Sequence, residues 1–180
     1  MGRPRAIERE TVDAVALDLF LARGFEVVTA QDIATACGIS RPTLYRLVPT
    51  MADIVLDQIQ TAIDAILERL ATSEATGWEA LREAFVDAMS AAITVPAQAK
   101  ALLVVQRNSE IRALAVSSSR TIRRGFTDVL IARGDFDGDP GDCELAAAFA
   151  IATLQVVLAR EGATQDDLDR SFRRAARVLG

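Results

Sequence analysis

Apolar side chains recur at helical spacing along most of this chain. Val12, Val15, Ala16, Leu19 and Phe20 fall at i, i+3, i+4, i+7 and i+8, one stripe on a helix that stops near Arg23-Gly24. Past the connection at 25–29, a second helix runs to about Cys37 with Ile33 and Ala34 inward. Thr29 and Asp32 read as a reduced capping box, with Asp in place of the usual Glu or Gln. A third short helix offers Leu44 to the same small apolar centre. From Thr50 to Ala71, Ile54, Leu56, Ile59, Ile63, Ile66 and Leu70 alternate with outward Asp53, Asp57, Asp64 and Glu68. Trp78, Leu81, Phe85, Ala88, Met89 and Ala92 mark a fifth helix that Pro96 interrupts. A short helix over 97–106 and one longer helix over 109–133 are expected next. The run 134–141 holds three Gly and a Pro and is the clearest loop in the chain. Residues 145–159 are apolar nearly throughout, and a helix apolar on all sides must be covered on all sides. The last helix, over 164–179, carries Leu168, Phe172, Ala175, Ala176 and Leu179 on one face, bordered by Arg170, Arg173, Arg174 and Arg177.

The densest information lies in residues 37–46, Cys-Gly-Ile-Ser-Arg-Pro-Thr-Leu-Tyr-Arg. Gly38 can turn left-handed without steric cost and so end one helix sharply. Ser40 stands where an N-cap is needed, and Pro42 falls in the first turn, where its missing N–H costs little. Two short helices about a tight Gly turn form a helix-turn-helix, whose second helix enters the DNA major groove. Arg41 can reach guanine O6 and N7 or a phosphate, and Pro42 offers an apolar edge to a thymine methyl. The hydroxyls of Thr43 and Tyr45 suit phosphates. Ser40, Arg46 and Thr29 complete the candidate DNA-contacting set, with Arg3 and Arg5 as a short basic arm.

In these residues the chain resembles the TetR family of bacterial repressors. The match runs through Val12, Ala16, Phe20, Gly24, Phe25, Thr29, Ile33, Ala34, Gly38, Ile39, Ser40, Thr43, Leu44 and Tyr45, with Pro49 and Ile54 continuing into helix four. It is sharp over residues 8–55 and one of layout beyond. Two positions depart from it: Met51 where the family usually has Lys, and Val48 where it has an aromatic residue. The resemblance implies an all-α fold, with a three-helix helix-turn-helix DNA-binding domain over residues 1–50. A larger helical domain over 51–180 would bind an effector and dimerise. It implies a homodimer through residues 142–161 and 164–179, where Ala148, Ala152 and Ala159 let two helices approach closely. A double-stranded DNA operator is the implied partner, and a small hydrophobic or amphipathic effector the implied ligand. Trp78, Phe85, Met89 and Phe126 are the candidate apolar contacts to it, with Gln106 and Gln155 as polar anchors. Helix four, joining pocket to head, is the expected coupling element.

Composition changes this picture little. The chain has 180 residues, 51% apolar and only 5% aromatic, enough for a sizeable helical core. No unbroken apolar run reaches the ~18–20 residues of a membrane span. No secretory signal is visible behind Arg3 and Arg5, so a cytoplasmic protein without membrane attachment is expected. The net charge of −5 resides wholly in residues 51–180, and residues 1–50 balance six basic against six acidic groups. Phosphate binding depends on where the basic groups stand, so a neutral head remains compatible with DNA. Cys37 and Cys143 fall in separate helices, which argues against a disulfide, and Cys37 reads as a small buried residue. The acidic loop at 134–141 lacks the spacing and closing Glu of a calcium loop, so no metal is expected. The chain has no His, no phosphate-binding Gly loop and no nucleophile elbow, which points away from catalysis; no cofactor is implied. The alternative is a helical ligand-binding protein of the same fold whose DNA binding is weak or lost; Met51 favours it and Arg41, Thr43 and Tyr45 oppose it.

Overall fold

The computed structural model describes residues 7–117, 119–160 and 162–179. Its regular structure is helical, as the periodicity predicts: α1 (Arg9–Arg23), α2 (Ala30–Ala36), α3 (Arg41–Leu47), α4 (Met51–Thr72), α5 (Gly77–Thr94), α6 (Pro96–Arg107), α7 (Ser109–Ser117), α8 (Ser119–Arg133), α9 (Pro140–Leu158) and α10 (Gln165–Leu179). The stretch expected as one helix over 109–133 is helical on both sides of residue 118, which lies outside the described residues.

Local chemistry explains most boundaries. Gly24 ends α1 at φ 95°, its N–H donating to the Phe20 carbonyl. The Thr29–Asp32 capping box is complete rather than reduced: Asp32 N donates to Thr29 Oγ1 at 3.2 Å and Thr29 N to Asp32 Oδ2 at 2.8 Å. Thr50 and Asp53 repeat this device at the start of α4. α5 and α6 meet at Pro96, where Pro in a first turn starts a new helix, and their axes bend by 107°.

The helices enclose two apolar cores. The head core takes Val12, Ala16, Phe20, Ile33, Ala34 and Leu44 from α1–α3, Ile54 and Val55 from α4, and Ala101, Val104 and Val105 from α6. The body core packs Leu70, Leu81, Phe85, Phe126, Ala147 and Phe172 from α4, α5, α8, α9 and α10. α1 is turned slightly from its predicted stripe. Asp13 and Leu17 lie on the buried side, while Val15 and Leu19 are only half-buried. A buried carboxylate is tolerated there because Arg9 Nε donates to it at 2.7 Å.

The loop at 134–141 also differs from expectation. It opens with a 3-10 turn at Asp135–Gly138, and Asp135 is buried rather than solvated. Its carboxylate accepts from Arg133 Nε at 2.7 Å and from Gly77 N at 2.9 Å. Arg133 in turn donates to the Ser73 and Ala75 carbonyls, so this cluster ties the α4–α5 connection to the α8–α9 connection. α9 is the one helix among the described residues whose length and composition reach those of a membrane span, although two carboxylates interrupt its apolar run. It sends Cys143, Ala146, Ala147, Ala150, Ile151 and Val157 into the body core and leaves Leu145, Phe149, Ala152 and Val156 exposed in a stripe.

Candidate nucleic-acid interface and ligand cavity

α3 is a seven-residue helix anchored by one side. Leu44 is buried in the head core, while Arg41, Pro42, Tyr45 and Arg46 are exposed and Thr43 is half-buried. Gly38, at φ 66°, makes the turn before it. Ser40 caps it, accepting from Thr43 N at 3.3 Å, and the Ser40 and Thr43 hydroxyls lie 2.9 Å apart. The Arg41 guanidinium stands 5.9 Å from the Tyr45 ring centroid, so the two share one exposed face. The sequence-selected residues of α3 are thus brought together, with Ser40 at their N-terminal end. Thr29 is exposed but committed to capping α2. Arg3 and Arg5 lie outside the described residues.

One group that sequence reading passed over holds this helix in place. Arg9, on α1, donates to Asp13 Oδ1 at 2.7 Å, to the Leu47 carbonyl at 2.9 Å and to Asp57 Oδ2 at 2.7 Å. One guanidinium therefore ties α1 to the last turn of α3 and to α4, where a cation also suits the free carbonyls of a helix end. Burial pushes the Asp13 carboxyl above its ordinary range, and its bond to Arg9 works the other way. Arg9 and Asp13 at i, i+4 were visible as a pair; Asp57, 48 residues from Arg9, was not. Cys37 is half-buried, and burial raises its thiol, the opposite of what a reactive thiolate needs.

A second feature lies deeper. A cavity of about 120 Å³ is lined by α4, α5, α6, α7, α8 and α9, and a smaller one of about 60 Å³ adjoins it around Phe85 and Met89. Of the candidate effector contacts, Phe85, Phe126 and Gln155 line the larger and Met89 the smaller. Trp78 and Gln106 do not line either. The Trp78 ring stacks 5.2 Å from Phe172, and its Nε1 donates to the Phe172 carbonyl at 3.0 Å, so it closes the body core near α10. Gln106 stands at the end of α6 and contributes its carbonyl, which accepts from Arg112 Nη1 at 3.3 Å. Trp78 is on the inward face of α5 but meets α10 there, and Gln106 falls in the last turn of α6. Arg112, Ile59, Ile63 and Leu154 are lining residues that sequence reading missed.

The cavity occupies the seam between the two cores. Ile59 and Val105 belong with the head core, while Ile66, Phe85, Phe126 and Ile151 belong with the body core. Two polar links tie α6 and the turn after it to α1 and the α1–α2 connection: Lys100 Nζ to Asp18 at 2.6 Å, and Asn108 Nδ2 to the Glu26 carboxylate. Asn108 is buried and also caps α7, its Oδ1 accepting from Ile111 N at 2.8 Å.

Residues 14–57, from within α1 to within α4, match the family model for bacterial regulatory proteins of the tetR family. The HTH-type transcriptional regulator YezE of Bacillus subtilis is 25% identical, aligning over 96% of this chain and 98% of its own. Among solved structures, GusR of Salmonella enterica has the same fold at 20% identity, with a TM-score of 0.63 over 95% of this chain and 92% of that one. SmeT, the repressor of the Stenotrophomonas maltophilia multidrug efflux pump SmeDEF, is alike at 18% identity, with a TM-score of 0.63 over 94% and 86%. A capped, solvent-facing α3 lies within residues 14–57, which match the tetR-family regulatory domain, and the chain as a whole has the fold of the TetR-family transcriptional regulators it is similar to.

Proposed function

We propose that this regulator is a cytoplasmic repressor that binds a palindromic operator as a dimer and releases it when a small hydrophobic or amphipathic effector enters the seam cavity. The observation that carries the reading is the position of that cavity, whose walls come from both cores. A ligand shifts an equilibrium only by binding one state better than the other. Filling a seam presses α6 and the start of α7 against the head and α4 against both cores, so occupancy changes the angle at which the head is carried. In this reading residues 1–50 are the DNA-binding unit, residues 51–180 the effector-binding and dimerising unit, and the basic arm at Arg3 and Arg5 adds phosphate contacts.

Dimerisation through residues 142–161 and 164–179 is supported by the exposed stripe Leu145, Phe149, Ala152 and Val156, which repeats at i, i+4, i+7 and i+11 on α9. A continuous apolar stripe on one helix face is the mark of a helix with a partner. One head reads only a few base pairs, so two heads on half-sites about one helical turn apart supply the specificity.

The test is a titration of the DNA upstream of the regulator's own gene. Arg41→Ala should cost on the order of 1–3 kcal/mol and relax preference at one base position, while Tyr45→Phe should weaken binding to all sequences alike. Retention of full, sequence-selective binding by the double variant would refute the role given to α3. Absence of binding by the wild type would favour the alternative, a ligand-binding protein of this fold with lost DNA binding.

A further inference from the structure

The walls of the larger cavity are apolar on α4, α5, α8 and α9, where Ile59, Ile63, Phe85, Phe126, Ile151 and Leu154 face it. α7 is the exception. Its Val116 is exposed and its Ala115 half-buried, so the cavity opens to solvent along this helix. One turn before Val116 stands Arg112, the one charged residue among the described residues that line the cavity. The described residues place no carboxylate within ion-pair distance of Arg112. Among the described residues its side chain donates from Nη1 to the Gln106 carbonyl at 3.3 Å, a long hydrogen bond to a neutral acceptor. A guanidinium carries five donors, and a half-buried one holding a single weak bond keeps most of them available. Gln155 adds one uncharged polar group on the α9 side.

From this distribution we infer that the cavity takes an anionic amphipath, an alkyl chain ending in a carboxylate, with the chain between Phe85 and Phe126 and the carboxylate on Arg112 at the mouth. The charge then stays at the wet end, where its desolvation costs least, and the tail buries only apolar surface. An Arg fork matches a carboxylate in two parallel hydrogen bonds, which a neutral or cationic head group cannot make. At about 120 Å³, with about 60 Å³ adjoining, the space is below the ~300–1,000 Å³ of drug-sized sites and favours a chain of medium length. Arg112 also joins the ligand to the head. Its backbone N donates to the Asn108 carbonyl at 3.1 Å, and Asn108 holds Glu26 between α1 and α2. A carboxylate drawing on Arg112 therefore pulls on the turn that touches the head.

The inference rests on the seam cavity being the effector site, and the two are separated by measuring binding without DNA. Octanoate, octanol and octyltrimethylammonium are titrated calorimetrically into the full-length wild type, Arg112→Gln and Arg112→Lys. Octanoate should bind the wild type at least tenfold more tightly than octanol, with octyltrimethylammonium weakest. Arg112→Gln should bring octanoate down to the affinity of octanol and leave octanol unchanged, and Arg112→Lys should restore part of the gap. Equal affinity of octanoate and octanol for the wild type, or a preference for octanoate that survives Arg112→Gln, overturns the inference. Binding of none of the three also overturns it. Octanoate binding through Arg112 with no loss of operator affinity would uphold the inference and refute the effector reading instead.

Discussion

The head core and the body core are built from the same apolar residue types but close in different ways. The body core is closed by its own helices around a chain of rings. Trp78 stacks on Phe172, Phe172 on Phe85 and Phe85 on Phe126, at centroid separations of 5.1–5.4 Å. Ionic groups clip its ends, Arg133 with the buried Asp135 and Arg82 with the half-buried Asp169. The head core has one ring pair, Phe20 and Phe25 at 4.8 Å, and is otherwise aliphatic and alanine-rich. It is finished by Ala101, Val104 and Val105 of α6 and by Ile111 of α7, more than fifty residues beyond α3. A seven-residue α3 offers little apolar surface, so the head depends on helices of the body for cover. In the function proposed above, that dependence is also the means of control, because whatever moves α6 is felt inside the head.

The largest expected effect tests the ring chain. Phe85→Ala removes a residue that is 1% exposed and touches both the ring chain and the cavity. It should cost about 3–5 kcal/mol, and at this chain length lower the melting temperature by roughly 10 °C; a loss below about 1 kcal/mol would mean that the rings are not the centre of the body. Next comes the clip. Asp135→Ala leaves the Arg133 guanidinium and the Gly77 N–H without their carboxylate and should cost about 3 kcal/mol in urea unfolding, with operator affinity unchanged.

The third prediction goes to the contrast itself. Ala101 is fully buried in the head core although it belongs to α6. Ala101→Leu overpacks that site by about 1–3 kcal/mol and should weaken operator binding along with stability. Undiminished operator affinity in a destabilised Ala101→Leu protein would show that the head is self-contained after all.

The smallest effect is one of pH. Hydrogen bonds from Thr164 hold the Asp167 carboxyl below its ordinary range, and the Arg173 guanidinium does so for Asp169. Each group is thus more acidic in the fold than in the unfolded chain. The stability it contributes is complete above the ordinary carboxylate value of 3.8 and disappears as the pH falls through the lower folded value. Asp169→Asn should therefore lower neutral stability slightly and leave stability at the acid end nearly the same, so that the acid limb of the profile is flattened. An identical acid limb in the variant would remove the role assigned to this pair.

What could be read from the chain alone follows interaction range. Helix starts at Thr29, Ser40 and Thr50 and the turn at Gly38 depend on partners within four residues, and all of them stand where the sequence places them. The exposed face of α3 was legible for the same reason, since burying Leu44 in a short helix leaves Arg41, Tyr45 and Arg46 outside. Phe85, Met89, Phe126 and Gln155 were found as cavity residues through periodicity and family layout; Trp78 and Gln106 were not on it, because periodicity identifies an inward face without saying which neighbour it meets. The remaining features needed the packed molecule. Arg9 reaches Asp57 across 48 positions, Asn108 reaches Glu26 across 82, and Asp135 becomes a buried clip only when α5 is brought to it. Arg112 shows the same limit: its sequence neighbours mark it as a surface charge, and its place at the mouth of an apolar cavity arises from how α4, α8 and α9 pack around α7. Capping and turn energies are local, whereas cavities and clips exist only where distant segments meet.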